Sequence, residues 1–176
     1  MRKTAGGRAA DFDLRALYDA LDERRRSRDL TWAAVTAEVN RHRTRLRPIA
    51  QSTITGLKDK SGGEGDGILQ MLIWLGRTPE SFVPGIPDAD APRFQLPPLQ
   101  RGQILRWDTR ALFAALDARR HERGLTWVAL ARELRGFTPG MLTNLAKGTR
   151  IGFPRVMQLV RWLGEPAIAF TRIAQW

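Results

Sequence analysis

Apolar residues in the second half of the chain recur at the three- and four-residue spacing of amphipathic helices. This spacing predicts four helices between Asp108 and Gly164, with Asp or Thr at several starts and glycine at the ends. A further turn or short helix over 166–173 would bring Phe170 onto the core. No segment alternates convincingly enough to predict a strand, so the expected class is all-α. The main inward positions are Leu112, Leu116, Leu130, Leu134, Leu142, Leu145, Leu159 and Leu163.

The same pattern occurs twice, because the chain contains an internal duplication. Segment 13–39 matches segment 108–134 at an offset of 95 residues, and 15 of the 27 aligned positions are identical. The match resumes at an offset of 88 residues, pairing 52–58 with 140–146 and 69–76 with 157–164. The first copy therefore contains seven additional residues, within or beside the basic stretch 40–48.

A proline-rich segment separates the two copies. Residues 83–102 contain five prolines and no helical periodicity, which predicts an extended, semi-rigid linker. The predicted organisation is a basic flexible tail over 1–10, a first repeat over 11–85, a linker over 86–102 and a second repeat over 103–176.

The charge balance indicates a polyanionic partner. The 176 residues include 29 Lys plus Arg against 18 Asp plus Glu, a formal charge of +11, and the second repeat is the more basic one. Such an excess is compatible with nucleic acid, an acidic substrate or a membrane surface. A hydrophobic fraction of 43% is enough for a folded core.

Residues suited to catalysis are scarce. The chain has no cysteine, which excludes disulfides, thiolate metal sites and cysteine nucleophiles. Its two histidines, His42 and His121, lie far apart in sequence. The chain therefore has almost no residues from which to build a metal cluster or a histidine-based triad. We therefore expect no enzymatic activity, no metal and no cofactor.

A run of matching positions in the second repeat carries a family resemblance. The positions are Leu125-Thr126, Ala131, Gly136, Thr138, Leu142, Leu145 and Lys147-Gly148. They resemble the helix-turn-helix domains of the lambda-repressor and Cro type, also called the XRE family, and the first repeat shares the pattern. The resemblance implies two tandem helix-turn-helix bundles of four to five helices each, joined by the proline-rich linker. Where the family commonly has a phosphate-binding Gln, this chain has Trp32 or Trp127, whose indole N–H can also donate.

The resemblance further implies that the third helix of each repeat enters the major groove of DNA. Gln51 can form a bidentate pair with adenine, whereas Pro139 and Gly140 offer no side-chain hydrogen bond. The two modules should therefore recognise different sequences, the alternative being that these positions form a solvated helix face. The candidate base-contacting residues are Gln51, Ser52 and Thr55 in the first repeat and Thr143 and Asn144 in the second.

Phosphate binding requires cations and N–H or O–H donors near helix ends. Candidates at the starts of the second and third helices are Thr31, Trp32, Thr126, Trp127 and Thr138. Cationic candidates are Arg43, Arg45 and Arg47 before the third helix of the first repeat, and Lys58, Lys60, Lys147 and Arg150 after the third helices. The alternative for the arginine stretch is a solvated loop.

Three other features have structural interpretations. The glycine-rich segment 61–67 is predicted to be a flexible loop, because it is acidic and lacks the ending of a phosphate-binding loop. Trp74 and Trp162 occupy equivalent positions and are predicted to pack in the core or between the repeats. Asp22 and Asp117 are also equivalent, and we expect each to form an ion pair with an arginine.

These observations favour a sequence-specific, double-stranded DNA-binding transcriptional regulator. Its two non-identical modules would act as a pseudo-dimer in a monomer or weak homodimer. We expect a cytoplasmic, nucleoid-associated protein of bacterial or phage origin, with no membrane partner. The sequence leaves open whether the chain also binds a protein partner. One alternative is a protein-interaction module, an antiactivator or adaptor whose repeats pack through their third helices. Another is sequence-independent binding to the nucleoid or to RNA.

Overall fold

The structure is a computed structural model that describes residues 12–42, 47–85 and 96–175. The first repeat contains helices α1 (Leu14–Ser27), α2 (Trp32–Val39), α3 (Gln51–Thr55) and α4 (Gly65–Leu75), with strand β1 (Gly63–Glu64) before α4. Short 3-10 helices follow α3 at Gly56–Asp59 and α4 at Pro79–Phe82.

The second repeat begins with strand β2 (Gln103–Trp107). It continues with helices α5 (Thr109–Glu122), α6 (Trp127–Glu133), α7 (Pro139–Thr143) and α8 (Arg155–Leu163). Strand β3 (Gly152–Phe153) precedes α8, strand β4 (Thr171–Gln175) ends the described chain, and 3-10 helices occur at Asn144–Lys147 and Ala167–Phe170. The described part of the chain is thus mostly helical, as the hydrophobic pattern predicts.

Side chains cap the helices at the predicted positions. The carboxylates of Asp13 and Asp108 accept the backbone N–H groups three residues later, at 2.9 and 3.0 Å. At α7, the hydroxyl of Thr138 accepts the N–H of Met141 at 3.2 Å. Each cap accepts a hydrogen bond from an N–H group that has no partner within its helix. The helix starts can therefore be predicted from the sequence.

The expectation that no strand forms is wrong. Strand β1 pairs with β3, and β2 pairs with β4, both antiparallel. The glycine-rich segment 61–67 is accordingly not a flexible loop, because it supplies β1 and the first turn of α4. Two-residue strands have no period to detect, and both sheets join segments that are distant in sequence.

The β1–β3 pair reveals an internal symmetry. Glu64 lies opposite Gly152, and Gly63 lies opposite Phe153. The offset of 88 residues makes Glu64 and Gly152 equivalent positions of the repeat. When antiparallel strands meet at equivalent residues, a twofold axis relates them. A local pseudo-twofold axis therefore passes between Glu64 and Gly152, and we call β1 and β3 the axial strands.

The two repeats share one hydrophobic core across this axis. The rings of Phe12 and Phe153, from different repeats, have centroids 4.5 Å apart. The buried amide of Gln70 donates to the carbonyl of Leu105 at 3.0 Å. Packing and hydrogen bonds thus fix the relative orientation of the repeats, because a buried polar group without its partner would cost free energy.

Candidate nucleic-acid interface

The second and third helices of each repeat lie against each other, α2 with α3 and α6 with α7. In the first repeat, the amide of Asn40 closes the connection between them. Its Nδ2 donates to the carbonyl of Ile49 at 2.9 Å, and its Oδ1 accepts the N–H of Ile49 at 2.8 Å. In the second repeat the turn is shorter, and the N–H of Phe137 donates to the carbonyl of Leu134 at 3.1 Å. The side chain of Asn40 thus holds the two described ends of the longer connection together.

The first turn of α3 presents its polar side chains to solvent. Gln51, Ser52 and Thr53 are exposed, while Thr55 is half-buried. The hydroxyl of Thr55 donates to the carbonyl of Gln51 at 3.2 Å, so its proton is used within the helix. Of the three first-repeat candidates, Gln51 and Ser52 are the more accessible.

The corresponding residues of the second repeat are also exposed. Thr143 and Asn144 lie at the end of α7 and at its junction with the following 3-10 helix. The hydroxyl of Thr143 donates to the carbonyl of Gly140 at 3.3 Å. The amide of Asn144 is the accessible polar group with the most hydrogen-bonding capacity on this helix.

The threonine candidates for phosphate binding serve as helix caps. The hydroxyl oxygens of Thr31 and Thr126 accept the N–H groups of Ala34 and Ala129, at 3.2 and 3.1 Å. Thr138 caps α7 in the same way. A capping hydroxyl accepts one hydrogen bond and retains its own proton for donation. These residues thus position the helix starts and can still donate to an oxygen.

Each second helix begins with a tryptophan packed on the first helix. The ring of Trp32 stacks on Tyr18, with centroids 5.5 Å apart, and the Arg25 guanidinium lies 5.1 Å from its centroid. Trp127 makes the equivalent contacts, stacking on Phe113 at 5.2 Å with Arg120 at 4.7 Å. Both rings are half-buried, and this packing fixes their orientation.

The cationic candidates lie on the surface. Lys58, Lys60, Lys147 and Arg150 are exposed, as is Arg47. Arg43 and Arg45 lie outside the described residues. The ammonium of Lys58 is 5.9 Å from the ring centroid of Tyr18, which places it beside the start of α2 rather than at the axis. Arg150 is close to the axis, since its guanidinium is 3.9 Å from the carboxylate of Glu64.

Two cations that the sequence pattern did not indicate accompany Lys147. Arg110 and Arg172 line the same surface depression as Lys147, next to the start of α5. Arg110 lies over the turn after α7, where a Cβ on Gly148 would be 3.2 Å from its Nε. Arg172 belongs to β4, which the sequence did not predict. We call Arg110, Lys147 and Arg172 the basic cluster of the second repeat.

Two equivalent ion pairs hold the second helices in place. The Arg28 guanidinium at 2.7 Å and the Trp74 indole N–H at 2.7 Å both donate to Glu38, and they lower the pKa of its carboxyl. In the second repeat, Trp162 and Arg123 donate to Glu133 and lower its pKa likewise. The predicted packing role of the two tryptophans therefore includes a hydrogen bond to a carboxylate.

The other repeated ion pair joins neighbouring residues on the first helices. As expected, Asp22 binds Arg25 at 2.8 Å and Asp117 binds Arg120 at 2.6 Å. The same arginines contact Trp32 and Trp127. Asp22 and Asp117 thus orient the cations that pack on the second helices.

A half-buried carboxylate lies between the repeats. Asp66 accepts the backbone N–H of Trp107 at 3.2 Å and lies 3.3 Å from Nε of Arg106. Burial raises the pKa of Asp66, and these two partners oppose that shift. Its partners both come from β2, so Asp66 links the repeats.

No described helix is long and apolar enough to span a membrane. Within the described ranges, no three His, Asp or Glu side chains come together as a metal-binding group. Comparisons of the chain with protein-family models, with curated proteins and with solved structures find no match.

Proposed function

We propose that the protein is a sequence-specific, double-stranded DNA-binding regulator built from two helix-turn-helix modules in one chain. The observation that carries this proposal is the pseudo-twofold axis between Glu64 and Gly152. Equivalent elements lie at the same height along a twofold axis, so α3 and α7 can face a single surface. Dimeric helix-turn-helix proteins use this arrangement to contact two half-sites of DNA.

The shared core supports a fixed spacing between the two modules. The Phe12–Phe153 contact and the Gln70–Leu105 hydrogen bond join the repeats directly. A single chain then supplies the two recognition helices that two subunits normally supply. One chain per bipartite site is the expected stoichiometry.

Differences between the third helices favour an asymmetric DNA site. The first repeat exposes Gln51 and Ser52 in the first turn of α3, where the second has Pro139 and Gly140. The second repeat has the basic cluster, and the positions equivalent to Lys147 and Arg172 in the first repeat are Asp59 and Pro84. We infer that the first module contributes more base contacts and the second more phosphate contacts.

Exposure of the third helices argues against the protein-interaction alternative in the form considered above. Gln51 and Asn144 are both exposed, and the repeats meet through the axial strands and the aromatic core instead of through α3 and α7. A face that two internal modules leave open is available to an external polyanion.

Selection from random duplexes tests the proposal. The full chain, in the presence of competitor DNA, should enrich a bipartite motif with two different half-sites. Titration of the enriched duplex should saturate at one chain per site. Equal affinity for enriched and scrambled duplexes would contradict sequence-specific recognition and favour the sequence-independent alternative. A site saturating at two chains would contradict the pseudo-dimer.

A further inference from the structure

Two surface clefts lie at equivalent places beside the axial strands, one in each repeat. The first lies between α3, β1 and the start of α4, and the second between α7, β3 and the start of α8. Because the offset of 88 residues relates their walls, the two clefts should be alike in size. They are not: the first has a volume of about 480 Å³ and the second about 250 Å³.

Side-chain size explains the difference. Four wall positions are larger in the second repeat, and one of them is Ile151, which stands where the first repeat has Gly63. Met141 stands where the first repeat has Thr53, and Arg155 stands where it has Gly67. Phe137 likewise replaces Ile49. The smaller residues of the first repeat leave open a space that the second repeat fills, and about 480 Å³ falls in the range of small-molecule sites.

The larger cleft has an apolar floor built from both repeats. Core residues from α3 and its flanks, from α4 and from β2 close the bottom of the cleft, and Ile49, at 8% exposure, is the most accessible of them. Such a floor can accept an apolar group that would otherwise be exposed to water. The floor residues are Ile49, Leu57, Ile68, Met71 and Ile104.

The rim of this cleft is cationic. Arg47, Lys60 and Arg150 are exposed at its edge, and the only rim carboxylate among its lining residues is Glu64. Deeper in the cleft, Asp66 and Arg106 oppose each other at 3.3 Å. Lys60 and Arg150 together outweigh the single charge of Glu64, so the opening has a net positive charge that favours an anion there.

We propose that this cleft binds a small amphipathic organic anion. The apolar body of the ligand would lie on the floor, and its carboxylate or phosphate head would bind Lys60 and Arg150 at the rim. Because Arg150 and Ile104 belong to the second repeat, the ligand would contact both repeats beside α3. A bound ligand would therefore change the packing at the junction that sets the relative positions of α3 and α7.

Direct titration of the full chain without DNA tests this proposal independently of the proposed function. The probes are octanoate, octyl phosphate, 1-octanol and acetate, measured by calorimetry. At least one octyl anion should bind at one site per chain, and 1-octanol and acetate should bind at least about tenfold more weakly. Comparing octanoate with octyl phosphate identifies the preferred head group. Absence of saturable binding by both octyl anions, or equal binding of 1-octanol, would overturn the proposal.

Exchange of a wall residue between the repeats locates the site. Thr53→Met copies the residue of the smaller cleft onto an exposed position and should weaken binding of the octyl anion at least about tenfold. The matched control is Met141→Thr, which enlarges the other cleft and should leave the affinity of the first site unchanged. Thermal unfolding checks that both variants fold. A Thr53→Met protein that binds as tightly as the parent would show that the anion binds elsewhere.

Removal of a rim charge tests the head-group contact. Lys60→Gln should weaken binding of the octyl anion several-fold while leaving the weak binding of 1-octanol unchanged. Arg132→Gln removes an exposed charge from α6, outside the cleft, and is the control. Equal effects of Lys60→Gln and Arg132→Gln would show that Lys60 acts only through the overall charge of the protein. That result would contradict the proposed head-group site.

Discussion

The indole of Trp107 packs against Gly65, at a place where any Cβ on residue 65 would lie 2.8 Å from Trp107 Cδ1. The offsets of 95 and 88 residues make Phe12 and Phe153 the equivalent pair, and their rings pack at 4.5 Å. One side of the axis thus combines a large ring with no side chain, and the other combines two rings of intermediate size. The same core space is filled in two different ways, as close packing requires.

Gly65→Ala should destabilise the joint between the repeats. The added methyl group would collide with the carbonyl oxygen of Ile151 as well as with Trp107. Overpacking of this kind costs about 1–3 kcal/mol. Urea unfolding measures the loss, and Gly140→Ala is the control because its Cβ would meet nothing closer than 4.0 Å. Equal stabilities of the two variants would contradict close packing at Gly65.

Acid should weaken the fold through Glu38 and Glu133. Arginine and tryptophan donors lower the pKa of both carboxyls in the folded chain. The unfolded state then binds more protons in the acidic range, so this stabilisation is present above the ordinary carboxyl pKa of 4.5. It is lost as the pH falls through the lowered values. Thermal unfolding between neutral pH and pH 3 should show this decline.

Glu38→Gln should flatten that decline. The amide cannot titrate, so the variant should be less stable at neutral pH and should lose less stability on acidification. Glu23→Gln, an exposed change on α1, serves as the control and should follow the parent curve. A Glu38→Gln curve parallel to the parent at every pH would contradict the assignment.

Gln51→Ala should reduce specificity on the proposed DNA site. A bidentate contact with adenine is confined to a base edge, so its loss should cost about 1–3 kcal/mol on the preferred duplex and little on scrambled DNA. Fluorescence anisotropy with both duplexes measures the difference. An unchanged preference would show that α3 does not contact bases through Gln51.

Lys147→Ala should weaken binding to all DNA sequences by the same factor. If the basic cluster binds phosphate, removal of one contact should weaken matched and scrambled duplexes equally and reduce the log–log salt slope by about one unit. Titrations at several salt concentrations measure this slope. An effect restricted to the matched duplex would instead place Lys147 at a base edge.

The spacing of the two half-sites should be fixed. The shared core joins the modules, so inserting five base pairs, about half a helical turn, would turn one half-site to the other side of the duplex. Affinity should then fall to that of a single half-site. Competition titrations with duplexes of different spacing measure this, and equal affinity at every spacing would indicate that the repeats separate on DNA.

Local chemistry explains which parts of the fold could be predicted. The starts of the helices follow from Asp108, Thr126 and Thr138, because a side-chain cap acts within three residues. The packing roles of Trp74 and Trp162 follow from their equivalent positions. Strands β1 and β3 could not be predicted, because each is two residues long and its partner lies in the other repeat. Strands β2 and β4 are longer, but their pairing joins the two ends of the second repeat.

The same limit applies to the candidate interface. Gln51 and Asn144 could be proposed as candidates from the sequence because they belong to a local pattern of helix and turn. Arg172 was not, because its place beside Lys147 depends on the pairing of β2 with β4. The cleft between the repeats could not be predicted either, since Ile104 and Arg150 join its wall only in the folded chain.

In a dimer of two identical chains, any residue on the axis faces its own copy. A glutamate at the position of Glu64 would then face another glutamate, and like charges directly opposite each other are destabilising. Duplication within one chain removes that constraint: Glu64 faces Gly152, and the Arg150 guanidinium lies 3.9 Å from its carboxylate. A single mutation at this joint alters one side only, so the two halves can diverge one residue at a time.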